Sequence, residues 1–237
     1  MKLLTILIIS HNHEKYLNTL LSDLSNYSYF IFKIIILHNV RPKGKIDIPK
    51  KIKKKIIINL NKKPQGLSKN INKLLKFCKS EFVAIINPDI RIKENIFKNI
   101  LKNFKRDKKL ALISPTILDE ERNIQDTKRS YPSIINLIKR EVFKIKQKNK
   151  GKDWLAGMFS VFRTNVLKKI KYDNNFFLYC EDVDISLRLT QKKYNFLLDN
   201  KISVVHVAQK ASRKNLKFTF FHIKSYFYLW KKHGFFK

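Results

Sequence analysis

LLTILIIS, residues 3–10, is short, rich in β-branched side chains and apolar on both faces. Such a run reads as a strand buried on both sides, the kind that belongs to a largely parallel sheet. The polar break Ser10-His11-Asn12 stands at its carboxyl end. Behind it, Tyr16, Leu17, Leu20, Leu21 and Leu24 recur at i, i+3, i+4 spacing and predict a helix. FKIIILHN (32–39) reads as a second buried strand, again ending in polar residues, and KIIINL (55–60) as a third. SKNINKLLKFC (68–78) reads as a helix, and EFVAIINPD (81–89) as a fourth strand that stops at Asn87-Pro88-Asp89. This alternation predicts a doubly wound sheet. Such sheets bind ligands beyond the carboxyl ends of their strands. Ser10, Asn12, Asn39, Asn87 and Asp89 all fall at those ends.

The rest of the chain is less regular. Residues 91–150 read as helical and polar, and KREVFKIKQKNKGK (139–152) as a solvated basic face or loop. DWLAGMFSVFR (153–163) follows, and KISVVHV (201–207) reads as another strand with His206 near its end. The tail, NLKFTFFHIKSYFYLWKKHGFFK (215–237), is aromatic and basic together. No internal repeat or low-complexity linker is visible. A length of 237 residues suits one α/β domain with a C-terminal helical appendix.

Lys and Arg number 51 against 18 Asp and Glu, a net charge of +33, while 44% hydrophobic residues exclude a disordered polycation. That charge invites nucleic acid or an anionic membrane. Abundant Lys, Ile and Asn with few Gly and Pro also match an AT-rich coding bias that fills solvated positions with Lys, so charge alone says only that anions are attracted. Cys78 and Cys180 have neither CxxC spacing nor a disulfide framework, which points to a reducing cytoplasm. Cys180 reads as packing, because the adjacent carboxylates raise a thiol's pKa. MKLLTILIIS imitates a leader, but SHNHEKY follows without a small-residue cleavage site. No apolar run reaches the roughly 18 residues of a membrane span. A soluble or peripheral protein is expected.

The few acids carry the chemistry. Asp89 follows a proline that breaks the strand ladder. A carboxylate presented there suits Mg2+ or Mn2+, which share their coordination with substrate phosphates; the same Asn-Pro-Asp is also a good plain turn. In FFLYCEDVDISLR (176–188), Val183, Ile185, Leu187 and Leu189 alternate as in a strand. Glu181, Asp182 and Asp184 followed by Arg188 equally fit the first turn of a helix, with an Asp184–Arg188 pair at i, i+4. A carboxylate at a helix start is expected to keep a low pKa. In a cleft it can take a proton from a hydroxyl nucleophile; elsewhere it is a cap. His206 gains meaning if it meets Asp89, since imidazole nitrogen suits Mn2+.

The ordered set TILIISHN, NPD, DWLAG, YDNNFFLYCEDVDISLRL and VVHV resembles the family 2 glycosyltransferases, most of all the rhamnosyltransferase-like branch that builds bacterial surface polysaccharides. The likeness runs from about Leu4 to His206 and more weakly into the tail. Its most specific block is Tyr172 to Leu189, close to the family's FDExFFLYxEDVDLCxR. The resemblance implies a GT-A fold: an α/β, Rossmann-like, mixed and mostly parallel sheet flanked by helices over residues 1–212, with an amphipathic helical tail over 213–237. It implies a cytoplasmic enzyme, at or near the inner face of the cytoplasmic membrane. That enzyme would use a nucleotide-diphosphate sugar and a divalent metal, Mn2+ or Mg2+, and would transfer the sugar with inversion to a glycan or lipid-linked acceptor in cell-envelope polysaccharide synthesis. Carried over position by position, Ser10, His11, Asn12, Asn39 and Asn87 lie on the nucleotide side. Asp89 binds metal and diphosphate, and His206 joins the metal. Asp182 is the catalytic base, in a helix that begins near it. Trp154, Gly157 and Glu181 line the acceptor side. Phe176, Phe177 and Tyr179 pack the floor, while Asp184 and Arg188 orient the helix.

The departures are specific. Leu37-His38-Asn39 stands for the usual Val-Asp-Asn, whose Asp contacts the base, so nucleotide preference stays open. Pro64 replaces the Asn of Asn-x-Gly-Phe, ahead of Gln65-Gly66-Leu67, and Tyr172-Asp173-Asn174 replaces Phe-Asp-Glu. Asn-Pro-Asp has one acid where other relatives have two, which implies weaker metal dependence. Two other readings remain: a domain of this type that no longer catalyses, and a basic nucleic-acid-binding protein, for which the acid cluster has no use. A sugar nucleotidyltransferase needs a glycine-rich basic loop after the first strand, and Ser10-His11-Asn12-His13 is not one. No specific nucleic-acid partner is expected. The tail fits an interfacial helix at anionic headgroups or a helix packed on the domain's own core.

Overall fold

The opening strand lies inside the sheet, with a parallel neighbour on each side. In a computed structural model that describes residues 3–141, 153–207 and 216–235, β1 (Leu4–Ser10) leads into α1 (Glu14–Ser25), β2 (Ile31–His38), β3 (Ile56–Leu60), α2 (Leu67–Leu75) and β4 (Phe82–Ile86). Then come β5 (Ile90–Arg91), α3 (Ile96–Arg106), β6 (Leu110–Leu118), β7 (Lys128–Ser130) and α4 (Ile134–Glu141). The remainder is β8 (Asp153–Leu155), β9 (Phe159–Arg163), α5 (Thr164–Ile170), α6 (Glu181–Gln191), β10 (Asn195–His206) and α7 (Leu216–His233).

Eight strands form one sheet in the order β3-β2-β1-β4-β9-β6-β10-β5, and β7 and β8 pair apart from it. The pairs β1–β2, β1–β4, β2–β3 and β6–β10 are parallel; β4–β9, β6–β9 and β5–β10 are antiparallel. Side-chain alternation splits the core between the two faces. Ile6 and Ile8 pack with Leu20 and Leu24 of α1 and with Phe97 and Ile100 of α3. Leu7 and Leu37 pack on the opposite face with Ile71 and Leu74 of α2 and Ile185 and Leu189 of α6. A third cluster joins Tyr131, Trp154, Phe176 and Val183 to Leu229 and Trp230 of α7.

Three expectations need correction. The described part of the region 91–150, residues 91–141, is not mainly helical. LALISPTIL is the inner strand β6, buried from Leu110 to Ile117, and its Pro115 disguised a strand paired on both sides. KIIINL is not buried either. As an edge strand β3 pairs only with β2, leaving Ile57, Ile58 and Leu60 39%, 45% and 53% exposed. KISVVHV is only the end of a longer strand, since β10 already starts at Asn195. Most of the basic stretch 139–152 lies outside the described residues. In the tail, Leu229, Trp230 and His233 are buried against the domain, as a helix packed on the core requires, while Phe220, Ile223 and Phe227 stand out from the surface.

Candidate active site

Neutral amides organise the ends of β1 and β2. The Asn39 backbone N–H donates to Ser10 O at 2.8 Å, tying the strand ends together. Asn39 Oδ1 accepts from Asn61 Nδ2, Gln65 N and Asn70 Nδ2 at 3.0, 2.8 and 3.0 Å. Its Nδ2 donates to Gln65 O at 3.0 Å and lies 3.4 Å from His11 Nδ1. Asn39, Asn61 and Asn70 are all buried, as a satisfied polar network must be. Ser10 is buried; His11 and Asn12 are exposed, and Asn12 makes the turn at φ 60°, a conformation Asn adopts more readily than most residues. His38 does not join them. Its ring is turned towards α1, with Nδ1 4.0 Å from Glu14 Oε1, and burial lowers its pKa.

The turn after β4 aims Asp89. Asn87 N donates to Met158 O and Ile90 N to Asn87 O, so the chain reverses at Pro88. The two residues of β5 then pair with His206 and Val205, and Val207 N donates to Asp89 O. This brings Asp89 Oδ2 to 3.3 Å from His206 Nε2, the meeting on which the reading of His206 depended. Asp89 Oδ1 is buried with no hydrogen-bond partner. His206 Nδ1 lies 3.2 Å from Gln125 Oε1. A proton held there leaves Nε2 free as a lone-pair donor. Burial lowers the pKa of nearby His13 against the pull of the Asp89 charge. One orphaned carboxylate oxygen and one imidazole nitrogen fit Mn2+ or Mg2+ with most ligands supplied from elsewhere. Among the described residues no group of three or more His, Cys, Asp or Glu could hold a metal alone.

Asp182 lines a cavity together with Asn87, two residues before Asp89. Tyr179 and Cys180, at φ 70° and 63°, are consecutive non-glycine residues in left-handed backbone, a costly conformation that concentrates at functional sites. They deliver the chain into α6, so the ambiguous block is a helix. Gly157 N donates to Asp182 Oδ2 at 3.0 Å and Val183 N to Oδ1 at 2.9 Å. A Cβ on Gly157 would stand 3.3 Å from Asp182 Cβ. The expectation of a low pKa does not hold: burial raises Asp182 despite these donors and the Arg129 charge. Burial and the neighbouring Asp182 push Glu181 up to about 8, and Glu181 Oε2 has no partner. A cavity of about 30 Å³, room for one water, is lined by Asn87, Gly157, Glu181 and Asp182 above Ile9 and Ile86.

A match to the glycosyl transferase family 2 model covers residues 5–171. The chain belongs to glycosyl transferase family 2. This glycosyltransferase is 25% identical over 249 residues to rhamnosyltransferase WbbL of Escherichia coli (strain K12), across 96% of this chain and 92% of that one, and is rhamnosyltransferase-like. Solved structures show the GT-A fold. GalNAc-T7 with UDP, GalNAc and Mn2+ superposes with TM-score 0.65 at 14% identity, over 87% of this chain and 43% of that one. Staphylococcus aureus TarS 1–349 gives 0.62 at 14%, over 86% and 60%. Pyrobaculum calidifontis mannosyltransferase PcManGT with GDP-Man and Mn2+ gives 0.60 at 10%, over 87% and 57%. This glycosyltransferase thus spans about half the length of those solved chains.

The fold of this glycosyltransferase brings Asn87, Gly157, Glu181 and Asp182 to one cavity and pairs Asp89 with His206. Trp154 does not line that cavity but packs in the cluster with Val183, the residue after Asp182. It is 7% exposed, donates from Nε1 to Ser130 O and lies under the Arg129 guanidinium. Phe176 is fully buried, but Phe177, expected in the floor, is 44% exposed and rests on Phe221 of α7. Gln125, His13 and Gly66 were not singled out. Gly66 has a visible signal in Gln-Gly-Leu: a Cβ there would meet the Phe177 backbone at 2.8 Å, so only glycine lets the loop before α2 approach the loop before α6.

Proposed function

We propose that this glycosyltransferase moves a sugar, rhamnose by its likeness to WbbL, from a nucleotide-diphosphate donor to a hydroxyl of a glycan or lipid-linked acceptor, with inversion. Its place would be the cytoplasmic face of the membrane, in cell-envelope polysaccharide synthesis. The observation that carries this reading is the single cavity shared by Asn87, from the Asn-Pro-Asp turn, and Asp182, at the start of α6. A donor at the strand ends and an acceptor hydroxyl at Asp182 would meet at the mouth of that cavity, which itself holds about one water.

Ser10, His11, Asn12 and Asn39 border the nucleotide in this reading. Asp89 and His206 would hold the divalent cation, Mn2+ or Mg2+, and that cation would supply positive charge to offset the charge of the diphosphate. The acceptor oxygen bonds to the anomeric carbon as the bond from that carbon to the phosphate oxygen breaks. The nucleoside diphosphate leaves with the electron pair, and the hydroxyl proton passes to Asp182. Gly157 and Val183 fix the carboxylate for that transfer, and its raised pKa makes it a stronger base than an ordinary aspartate. Glu181, protonated at neutral pH, is available as a hydrogen-bond donor to the acceptor. Trp154 and Gly157 shape that side.

The test is Asp182→Asn. Transfer to a lipid-linked acceptor should fall by about 10²- to 10⁴-fold, while stabilisation by nucleoside diphosphate and Mn2+ stays. Near-normal turnover would remove Asp182 as base.

A further inference from the structure

α7 has two faces. Towards the domain, Trp230 Nε1 donates to Pro132 O at 2.8 Å, Tyr228 meets Phe176 at 4.9 Å, and Ser225 Oγ donates to Leu178 O. Its carboxyl end is clamped by charge. Asp184, fully buried on α6, receives His233 Nε2 and Lys232 Nζ, each at 2.8 Å, and Arg188 at 2.7 Å. Such a helix cannot swing freely, so its other face has a fixed direction.

That outer face is apolar. Phe220, Ile223 and Phe227 recur at i, i+3 and i+7 and are 64%, 51% and 58% exposed. Lys224 and Lys231 are exposed along the same stripe, and residues 216–233 contain no Asp or Glu. Scattered exposed apolar residues need no explanation; three in register on one helix stripe do. Phe177, 44% exposed, continues the apolar surface over Phe221 towards the loop that leads into Asp182.

We propose that this stripe of α7 seats the enzyme on an anionic lipid bilayer, with Phe220, Ile223 and Phe227 entering the headgroup–acyl boundary and Lys224 and Lys231 meeting lipid phosphates. Charge selects this occupant. A second copy would bring another +33 against the same lysines, whereas an anionic surface attracts them. Lysine interleaved with large apolar residues on the outward face of a helix is also the pattern of interfacial helices. The proposal deepens the acceptor reading above. With α7 against loop 173–180, a helix diameter of about 10–12 Å separates the bilayer contact from that loop, so a lipid-linked acceptor would reach Asp182 from the membrane side.

The experiment is cosedimentation of the full chain with vesicles of phosphatidylcholine alone and of phosphatidylcholine mixed with phosphatidylglycerol, at moderate and high salt. Two variants are compared. Phe220→Ser/Ile223→Ser/Phe227→Ser removes the stripe and leaves every charge. Lys50→Gln/Lys51→Gln/Lys53→Gln removes three exposed charges from the β2–β3 connection. The stripe variant should lose about tenfold or more in partitioning to the anionic vesicles, while the lysine variant changes little. Equal binding by all three proteins, abolished together by salt, would reduce the interaction to general charge attraction and overturn the proposal. So would a wild-type dimer in sedimentation that the stripe variant breaks, since the face would then belong to a second copy. Nucleoside-diphosphate stabilisation with Mn2+, measured on the same proteins without lipid, separates the two readings. Its absence in wild type sinks the donor site and leaves the docking result standing, and its retention in the stripe variant shows that the fold is intact.

Discussion

The two sides of the site are held by different chemistry. On the proposed nucleotide side, Asn39, Asn61, Asn70 and Gln65 knit the strand ends with neutral amides. On the acceptor side, Asp184 gathers Arg188, Lys232 and His233, while Asp173 takes Lys232 at 2.6 Å and Tyr228 Oη at 2.9 Å. An amide network works the same way at any pH. An ionic one depends on protonation and binds one distant helix to another. The side proposed for the nucleotide is thus built as part of the sheet, whereas the side proposed for the base depends on a helix some fifty residues further along the chain.

The largest break in this contrast should come from Asp184→Ala. It strands the Arg188 and Lys232 cations, and the His233 ring, around a buried hole, and loss of one partner from a buried ion pair costs about 3–5 kcal/mol. For a chain of this size that lowers Tm by about 10 °C, readable by calorimetry. Asn61→Ala, which leaves Asn39 and Asn70 short of one partner each, should cost about 1–2 kcal/mol and weaken nucleotide binding without loosening α7.

Acid should separate the two sides as well. Although burial pushes Asp184 up, His233, Arg188 and Lys232 hold it below the ordinary carboxylate value, and Lys232 with its neighbours takes Asp173 to about 2. Both pKa values are depressed in the fold. Their stabilisation is therefore present above the unfolded carboxylate range, near 4, and is lost as pH falls towards about 2. Hydrogen exchange should show α7 opening in that window while the β1–β2 strand ends stay protected. Equal loss at both would contradict the contrast.

The smallest effects concern the rate profile. Transfer should fall as pH drops through the raised Asp182 value and change again as Glu181 ionises near 8. Glu181→Gln should remove the upper change and leave the lower limb, because Glu181 is already neutral where Asp182 titrates. Arg129→Gln should move the lower limb slightly upward, since the Arg129 charge helps keep Asp182 ionised.

What could be read from the sequence follows the same division. β1, β2, α1, α2 and β4 announce themselves by local period, and their polar ends mark the nucleotide side. Pro115 concealed β6, because a proline argues against a strand paired on both sides. The two residues of β5 are too few to show a period, yet they bring Asp89 to His206. Asp184 and Arg188 were legible at i, i+4, but His233 lies 49 residues from Asp184, and only the tertiary fold reveals that contact. The raised pKa of Asp182 was hidden for the same reason: local sequence shows a helix start, not how deeply it is buried.

In the proposed reaction Asp89 meets the donor's diphosphate through a divalent cation, and Asp182 receives the acceptor's proton. The most direct measurement is thermal stabilisation by UDP, GDP and dTDP, with Mn2+ and with chelator at moderate salt, on wild type, Asp89→Ala and Asp182→Asn. The account predicts stabilisation by one nucleotide that disappears with chelator and in Asp89→Ala and survives in Asp182→Asn. Equal, salt-sensitive stabilisation by all three nucleotides, indifferent to metal and to Asp89, would contradict it and leave only the attraction of anions to a chain of charge +33.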